Sequence, residues 1–151
     1  MKSFSTPKDH LKGLHHLGLA PKNKQQAEYF FCNVLGMTVS GKETVEDQGV
    51  LTTSLNISET SHTELELLEA SHSESTIQKF LDKKGGGIHH LSFEVENLSE
   101  LISKLIDLGI KMINQTPKPG SGHTNIAFVH PHSTGGILVE LVEKRKKNIK
   151  S

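Results

Sequence analysis

From Gly13 the chain reads GLHHLGLA, with apolar and polar or small positions in alternation. In a strand this puts His15, Leu17 and Leu19 on one face and His16, Gly18 and Ala20 on the other. After Asn23 the period changes. Ala27, Phe30, Phe31, Val34 and Leu35 recur at i, i+3, i+4, i+7 and i+8, which predicts an amphipathic helix stopping near Gly36. Shorter runs at 38–46, 50–57 and 62–69 read as strands. The order then repeats. GIHHLSFEVENL opens at Gly87, and Leu98, Leu101, Ile102, Leu105 and Leu108 form a second helical stripe ending at Gly109. Strands are expected at 110–114, 124–130 and 136–142.

An offset of 74 positions superposes the two halves. Gly13, His15, His16 and Leu17 fall on Gly87, His89, His90 and Leu91, and Asn23 and Gln26 fall on Asn97 and Glu100. The Asn-x-x-Gln/Glu pair marks a helix start in each copy. Far downstream, ELELLE falls on LVELVE, which sets Glu66 on Glu140. The chain therefore carries two strand-helix-three-strand units, and a pair related by a pseudo-twofold axis is expected rather than a solenoid. Between them, residues 71–87 read as a connector with a short helix around Ile77 to Leu81 and a flexible lead-in at Gly85 to Gly87.

The alternation sorts the candidate chemistry. Leu91, Phe93 and Val95 share the face of His89, which should pack on the following helix. His90 is on the other face with Ser92 and Glu94. Leu65 and Leu67 flank Glu66 as Val139 and Leu141 flank Glu140. A carboxylate in mid-strand is costly to bury unless it is paired or bound to a metal. His16, His90, Glu66 and Glu140 in matched register thus form a candidate ligand set, of a kind that suits Mn, Fe, Co, Ni or Zn. His15 and His89, on the packed face, are expected to support the set or the core. Glu69 and Glu143 lie at strand ends and are expected in solvent. So are His62, His72, His123, His130 and His132, near turns or strand ends.

Composition narrows the class. Seventeen basic and seventeen acidic side chains cancel, which argues against a nucleic-acid or membrane-surface role driven by charge. The single Cys32 excludes an internal disulfide and fits a reducing compartment. No apolar run approaches the ~18 residues of a membrane span, and residues 1–13 lack the apolar segment of a secretion signal. A cytoplasmic protein is expected, with a flexible extension at 1–13, a single domain at 14–143 (modules about 14–70 and 88–143) and a basic tail at 144–151.

The segments GLHHLGLA, ELLEASHSESTIQKFLDKKGGGIHHLSFEVEN and FVHPHSTGGILVELVE resemble the methylmalonyl-CoA epimerases of the vicinal oxygen chelate superfamily, over about Leu14 to Glu143. That resemblance implies an α+β fold. Its two βαβββ modules would form a curved, half-open β-barrel around a metal site. It implies His16, His90, Glu140 and Glu66 as ligands of one divalent first-row transition metal ion (Co, Mn, Ni or Zn). The activity implied is interconversion of the C2 epimers of methylmalonyl-CoA, by proton abstraction through a metal-stabilised enolate. Glu140 would be one acid/base group and Glu66 the second. An acyl-CoA substrate and a homodimer are implied as partners, with neither nucleic acid nor membrane. Lys79, Lys83, Lys84 and Lys118 lie near expected loops and are assigned no CoA contact. One position departs from the pattern. Some epimerases carry a glutamate base after a QGV turn, where this chain has Thr52, so Glu66, a metal-bound water, Glu46 or Asp47 must serve instead. A glyoxalase I-like lyase acting on a glutathione hemithioacetal shares the ligand set, and a non-catalytic binding protein shares the fold. An extradiol dioxygenase fits less well, because no ring-cleavage pocket is evident.

Overall fold

The computed structural model describes residues 3–146. Their elements are β1 (Leu11–Ala20), α1 (Lys24–Glu28) continued by a π-helical turn (Tyr29–Val34), β2 (Thr38–Val45), β3 (Val50–Asn56), β4 (Glu64–Ala70) and α2 (Thr76–Lys84). β5 (Gly87–Val95), α3 (Leu98–Asp107), β6 (Lys118–Gly120), β7 (Thr124–Val129) and β8 (Val139–Lys144) complete the order. The α+β class and two βαβββ modules follow directly. The chain divides into two compact units, His15–Leu91 and the remainder, so that β1 and β5 each run from one into the other.

In the unit His15–Leu91 the strands lie in the order β2-β3-β4-β1-β5. β1 and β4 are parallel, with Gly18 beside Glu66. β4 and β3 are antiparallel with Glu66 beside Ser54, and β3 and β2 pair Thr52 with Glu43 after a bulge between Val39 and Gly41. One face buries Leu55, Leu65 and Leu67 against Leu17, Leu19, Ala27, Phe31 and Cys32, as the alternation requires. The opposite face carries His16 and Glu66. Its far end is closed by Ala20, Val50 and Leu68 packed on Ile77, Phe80 and Leu81 of α2. Gly85, left-handed at φ 77°, caps α2, its N–H donating to the Leu81 carbonyl at 2.7 Å. Gly86 lies so close to the backbone of Ala20 and Lys22 that a β-carbon would stand 3.0 Å from Lys22 N. The expected flexible lead-in is thus packed in place at the start of the His90 strand.

The helix of this first module departs from its expected stripe. The Leu35 N–H donates to the Phe30 carbonyl, five residues back, at 3.0 Å. The π turn takes more residues per revolution than an α-helix, so the register slips. Ala27 and Phe31 remain on the core, while Phe30, Val34 and Leu35 are 48, 55 and 54% exposed.

In the other unit β8 pairs with β7, Glu140 beside Phe128, and β7 pairs with β6. Leu98, Leu101 and Ile102 of α3 pack on Val95, Met112, Ala127, Val129 and Leu141. The expected strand at 110–114 is reduced to a bridge between Met112 and Val129, and the strand paired with β7 lies at 118–120 instead. The cause is Asn114, whose side-chain Oδ1 accepts from Phe128 N at 2.8 Å, where a continuing ladder would need a main-chain carbonyl. The start of α3 differs as well. Asn97 is left-handed at φ 54° and does not cap with its side chain; a Glu143 oxygen accepts from Leu98 N at 3.3 Å. Glu143 therefore serves the helix rather than only facing solvent.

Residues 7–13 are not a loose extension. A 3-10 turn over Pro7–His10 leads into β1, and His10 is fully buried. Its Nδ1 bonds the Glu96 carbonyl at 2.8 Å, and Glu96 N donates to the His10 carbonyl at 2.8 Å. β8 continues to Lys144, and residues 147–151 of the expected basic tail lie outside the described residues.

Candidate metal centre

Alternation on β1, β4 and β5 buries three of the four expected ligands within one unit: His16 is 3% exposed and Glu66 and His90 are 6%. His16 Nε2 lies 3.0 Å from His90 Nε2 and 3.3 Å from Glu66 Oε2. On the far side of each ring a neighbour holds the other nitrogen. His16 Nδ1 lies 2.7 Å from His15 Nδ1, and His90 Nδ1 lies 2.9 Å from His89 Nδ1. His89 is braced in turn, edge-on to Phe80 at 5.0 Å between ring centres.

These contacts test the fit of a cation. In the tautomer whose Nδ1 protons are donated by His16 and His90 to His15 and His89, both Nε2 lone pairs face each other beside a carboxylate oxygen. Three electron-rich atoms so close repel unless a positive charge lies among them. Two imidazole nitrogens at the usual ~2.1 Å from one ion stand about 3.0 Å apart at a right angle and about 3.4 Å apart in a tetrahedron, so the 3.0 Å separation here is close to that of a shared ion. The outward Nδ1 bonds fix ring orientation, the role expected of His15 and His89. A cation fits.

Glu140 belongs to the other unit. It is 6% exposed on β8, between Val139 and Leu141 and beside Phe128. Its buried carboxylate is a donor of the type that, with imidazole nitrogens, holds a metal ion. Thr52, at the position of the family glutamate, is also buried, and its hydroxyl donates to the Glu43 carbonyl at 3.2 Å. Glu46 and Asp47 lie in an exposed 3-10 turn, and Glu69 is held by Lys24 at 2.9 Å. Of the four lysines, Lys79, Lys83 and Lys84 lie on α2, and Lys118 stands over the Phe128 ring at 5.8 Å.

The sequence places Gly18 on the face of His16 but does not show what it does there. A side chain there would collide with the His90 ring, so the glycine gives the imidazole its place. The signal was present: the repeat matches Gly18 with Ser92, another small residue on the histidine face, and Ser92 is fully buried.

This fold and donor set define a class. Residues 15–128 match the Glyoxalase/Bleomycin resistance protein/Dioxygenase superfamily, and the chain belongs to it. Within that class the chain is 35% identical to the mitochondrial methylmalonyl-CoA epimerase of Dictyostelium discoideum, over 87% of this chain and 78% of that one. It is 37% identical to the uncharacterized protein YqjC of Bacillus subtilis (87% and 92% covered). A solved methylmalonyl-CoA epimerase in complex with methylmalonyl-CoA and ammonium superposes with a TM-score of 0.82 at 31% identity, covering 89% of this chain and 95% of that one.

Proposed function

We propose that this chain is a metal-dependent methylmalonyl-CoA epimerase, an isomerase that interconverts the two C2 epimers of its acyl-CoA substrate. The epimerase relatives support the activity. The observation that carries metal dependence is the pair of Nε2 atoms 3.0 Å apart beside Glu66. His16, His90, Glu66 and Glu140 are the proposed ligands of one Co, Mn, Ni or Zn ion.

The C2 proton lies between a thioester and a carboxylate and is only weakly acidic. When bound, the ion supplies Lewis-acid stabilisation of the negative charge that develops on the substrate oxygens, worth several kcal/mol. The protein residues do the rest. His16 and His90 are locked by their neighbours, so little reorganisation accompanies reaction. Glu140 is the proposed acid/base group on one side of C2 and a second such group is required on the other, each contributing typically ~10²–10⁴-fold. Wild-type activity is proposed for a cytoplasmic homodimer. Tyr29, Phe30, Val34, Leu35 and Val39 are exposed apolar side chains of the kind a second copy covers.

The test is deuterium wash-in at C2 of methylmalonyl-CoA, followed by NMR in D₂O with metal-stripped and metal-restored protein. Metal-dependent exchange with loss of stereochemistry is expected. No exchange with Mn, Co, Ni or Zn would overturn the reading and turn attention to the glutathione hemithioacetal.

A further inference from the structure

Epimerisation takes a proton from one face of a planar enolate and returns one to the other, so two proton carriers must flank the carbon. In the unit His15–Leu91 the strand register identifies every side chain that shares the face of His16 and Glu66. One row across the sheet is Gly18, Glu66, Ser54 and Gly41; the next is Leu68, Thr52 and Glu43. At the other end Glu64 lies beside His16 and Asn56. The carboxylates of this face, among the described residues, are therefore Glu43, Glu64 and Glu66.

Their places differ in what they can do. Glu66 is held at His16 Nε2, and Glu64 shares that strand at the histidine end. Glu43 stands two strands from Glu66, about 10 Å across the sheet. Between the two lie Ser54, Gly41 and Thr52, all small residues. The hydroxyl of Thr52 is tied to the Glu43 backbone, which fixes β2 where Glu43 projects.

We infer that the Glu43 carboxylate is the second proton carrier, leaving Glu66 as a ligand. This rests on the epimerase reading above. With one epimer, Glu140 takes the C2 proton: the C–H bond breaks, an O–H bond forms on Glu140, and the electron pair passes into the thioester as the enolate. The Glu43 carboxylic acid then gives its proton to C2 from the opposite face, forming C–H and leaving Glu43 ionised. The other epimer runs the same steps in reverse. The register places a carboxylate one strand away from Thr52, which has none to offer.

The experiment follows each separated C2 epimer of methylmalonyl-CoA in D₂O with metal-loaded wild type, Glu43→Gln and Glu43→Asp. Metal content and thermal midpoint are measured alongside. Wild type should exchange and invert both epimers. Glu43→Gln should keep its metal and still exchange one epimer without inversion, while exchange of the other falls at least ~10²-fold. Glu43→Asp should recover part of the inversion. Inversion of both at the wild-type rate by Glu43→Gln would overturn the role. So would parallel loss of metal, fold and exchange of both epimers in Glu43→Gln and Glu43→Asp. If wild type exchanges neither epimer, the epimerase reading itself fails, and the Glu43 assignment with it.

Discussion

A β-carbon on Gly18 would stand 2.1 Å from Cε1 and 2.3 Å from Nδ1 of His90, inside the space the imidazole occupies. The smallest residue on β1 thus sets the position of a ligand on β5. Gly18→Ala should push His90 away from His16 and weaken metal binding by roughly 10–100-fold, the range for disturbing the supports of a ligand. Gly13→Ala, with nothing within 4 Å of the added carbon, is the control and should bind as wild type. Titration of Mn(II) followed by electron paramagnetic resonance reads the difference without turnover. Equal affinity in the two variants would remove Gly18 from this role.

His90→Ala removes the ligand outright. Metal content by elemental analysis should fall to background and C2 exchange with it. The far-ultraviolet circular dichroism should stay that of the folded protein, because His90 lies outside the three apolar clusters. Full exchange in a metal-free variant would end the ligand assignment.

The ligand pattern is legible because a strand reports its faces directly: period two separates His16 from His15 and Glu66 from its leucine neighbours. Three other features turn on interactions that a periodic pattern does not encode. Asn114 replaces a main-chain acceptor with its side chain and interrupts a strand that the apolar run 110–114 predicts. Glu143 reaches α3 from β8, a partner 45 residues away. Glu43 joins the histidine face only through pairing across two strands, and a bulge at Val39 resets that register. Without the pairing its parity relative to Glu66 is undetermined.

The π turn after α1 reverses which aromatic residue matters to folding. Phe31 packs with Leu55, Leu65 and Leu67, while its neighbour Phe30 is half exposed. Phe31→Ala should cost about 3 kcal/mol, and Phe30→Ser should change the stability of the monomeric fold by no more than about 0.5 kcal/mol. Urea unfolding of both at low protein concentration measures this. An α-helical stripe through Phe30, Val34 and Leu35 demands the opposite, with Phe30→Ser the damaging change.

The approach to β1 should respond to acid. Asp9 accepts from Thr6 N at 2.7 Å and Thr6 Oγ1 at 2.9 Å, and from Ser5 Oγ at 3.2 Å. The Thr6 backbone bond first, then the Thr6 hydroxyl, hold its carboxyl below the ordinary carboxylate value. A group whose value is lowered by folding favours the fold while it is ionised. Its contribution is present above the unfolded value near ~3.9 and is lost as pH falls through the lower folded value. The Thr6 amide resonance should therefore titrate with a midpoint below that of an unfolded Asp, and Asp9→Asn should abolish the titration. A midpoint at or above ~3.9 would mean that the turn does not hold the carboxylate in solution. The segment affected is short but well placed. The next residue is the fully buried His10, which bonds Glu96 and directly precedes the strand that carries His16.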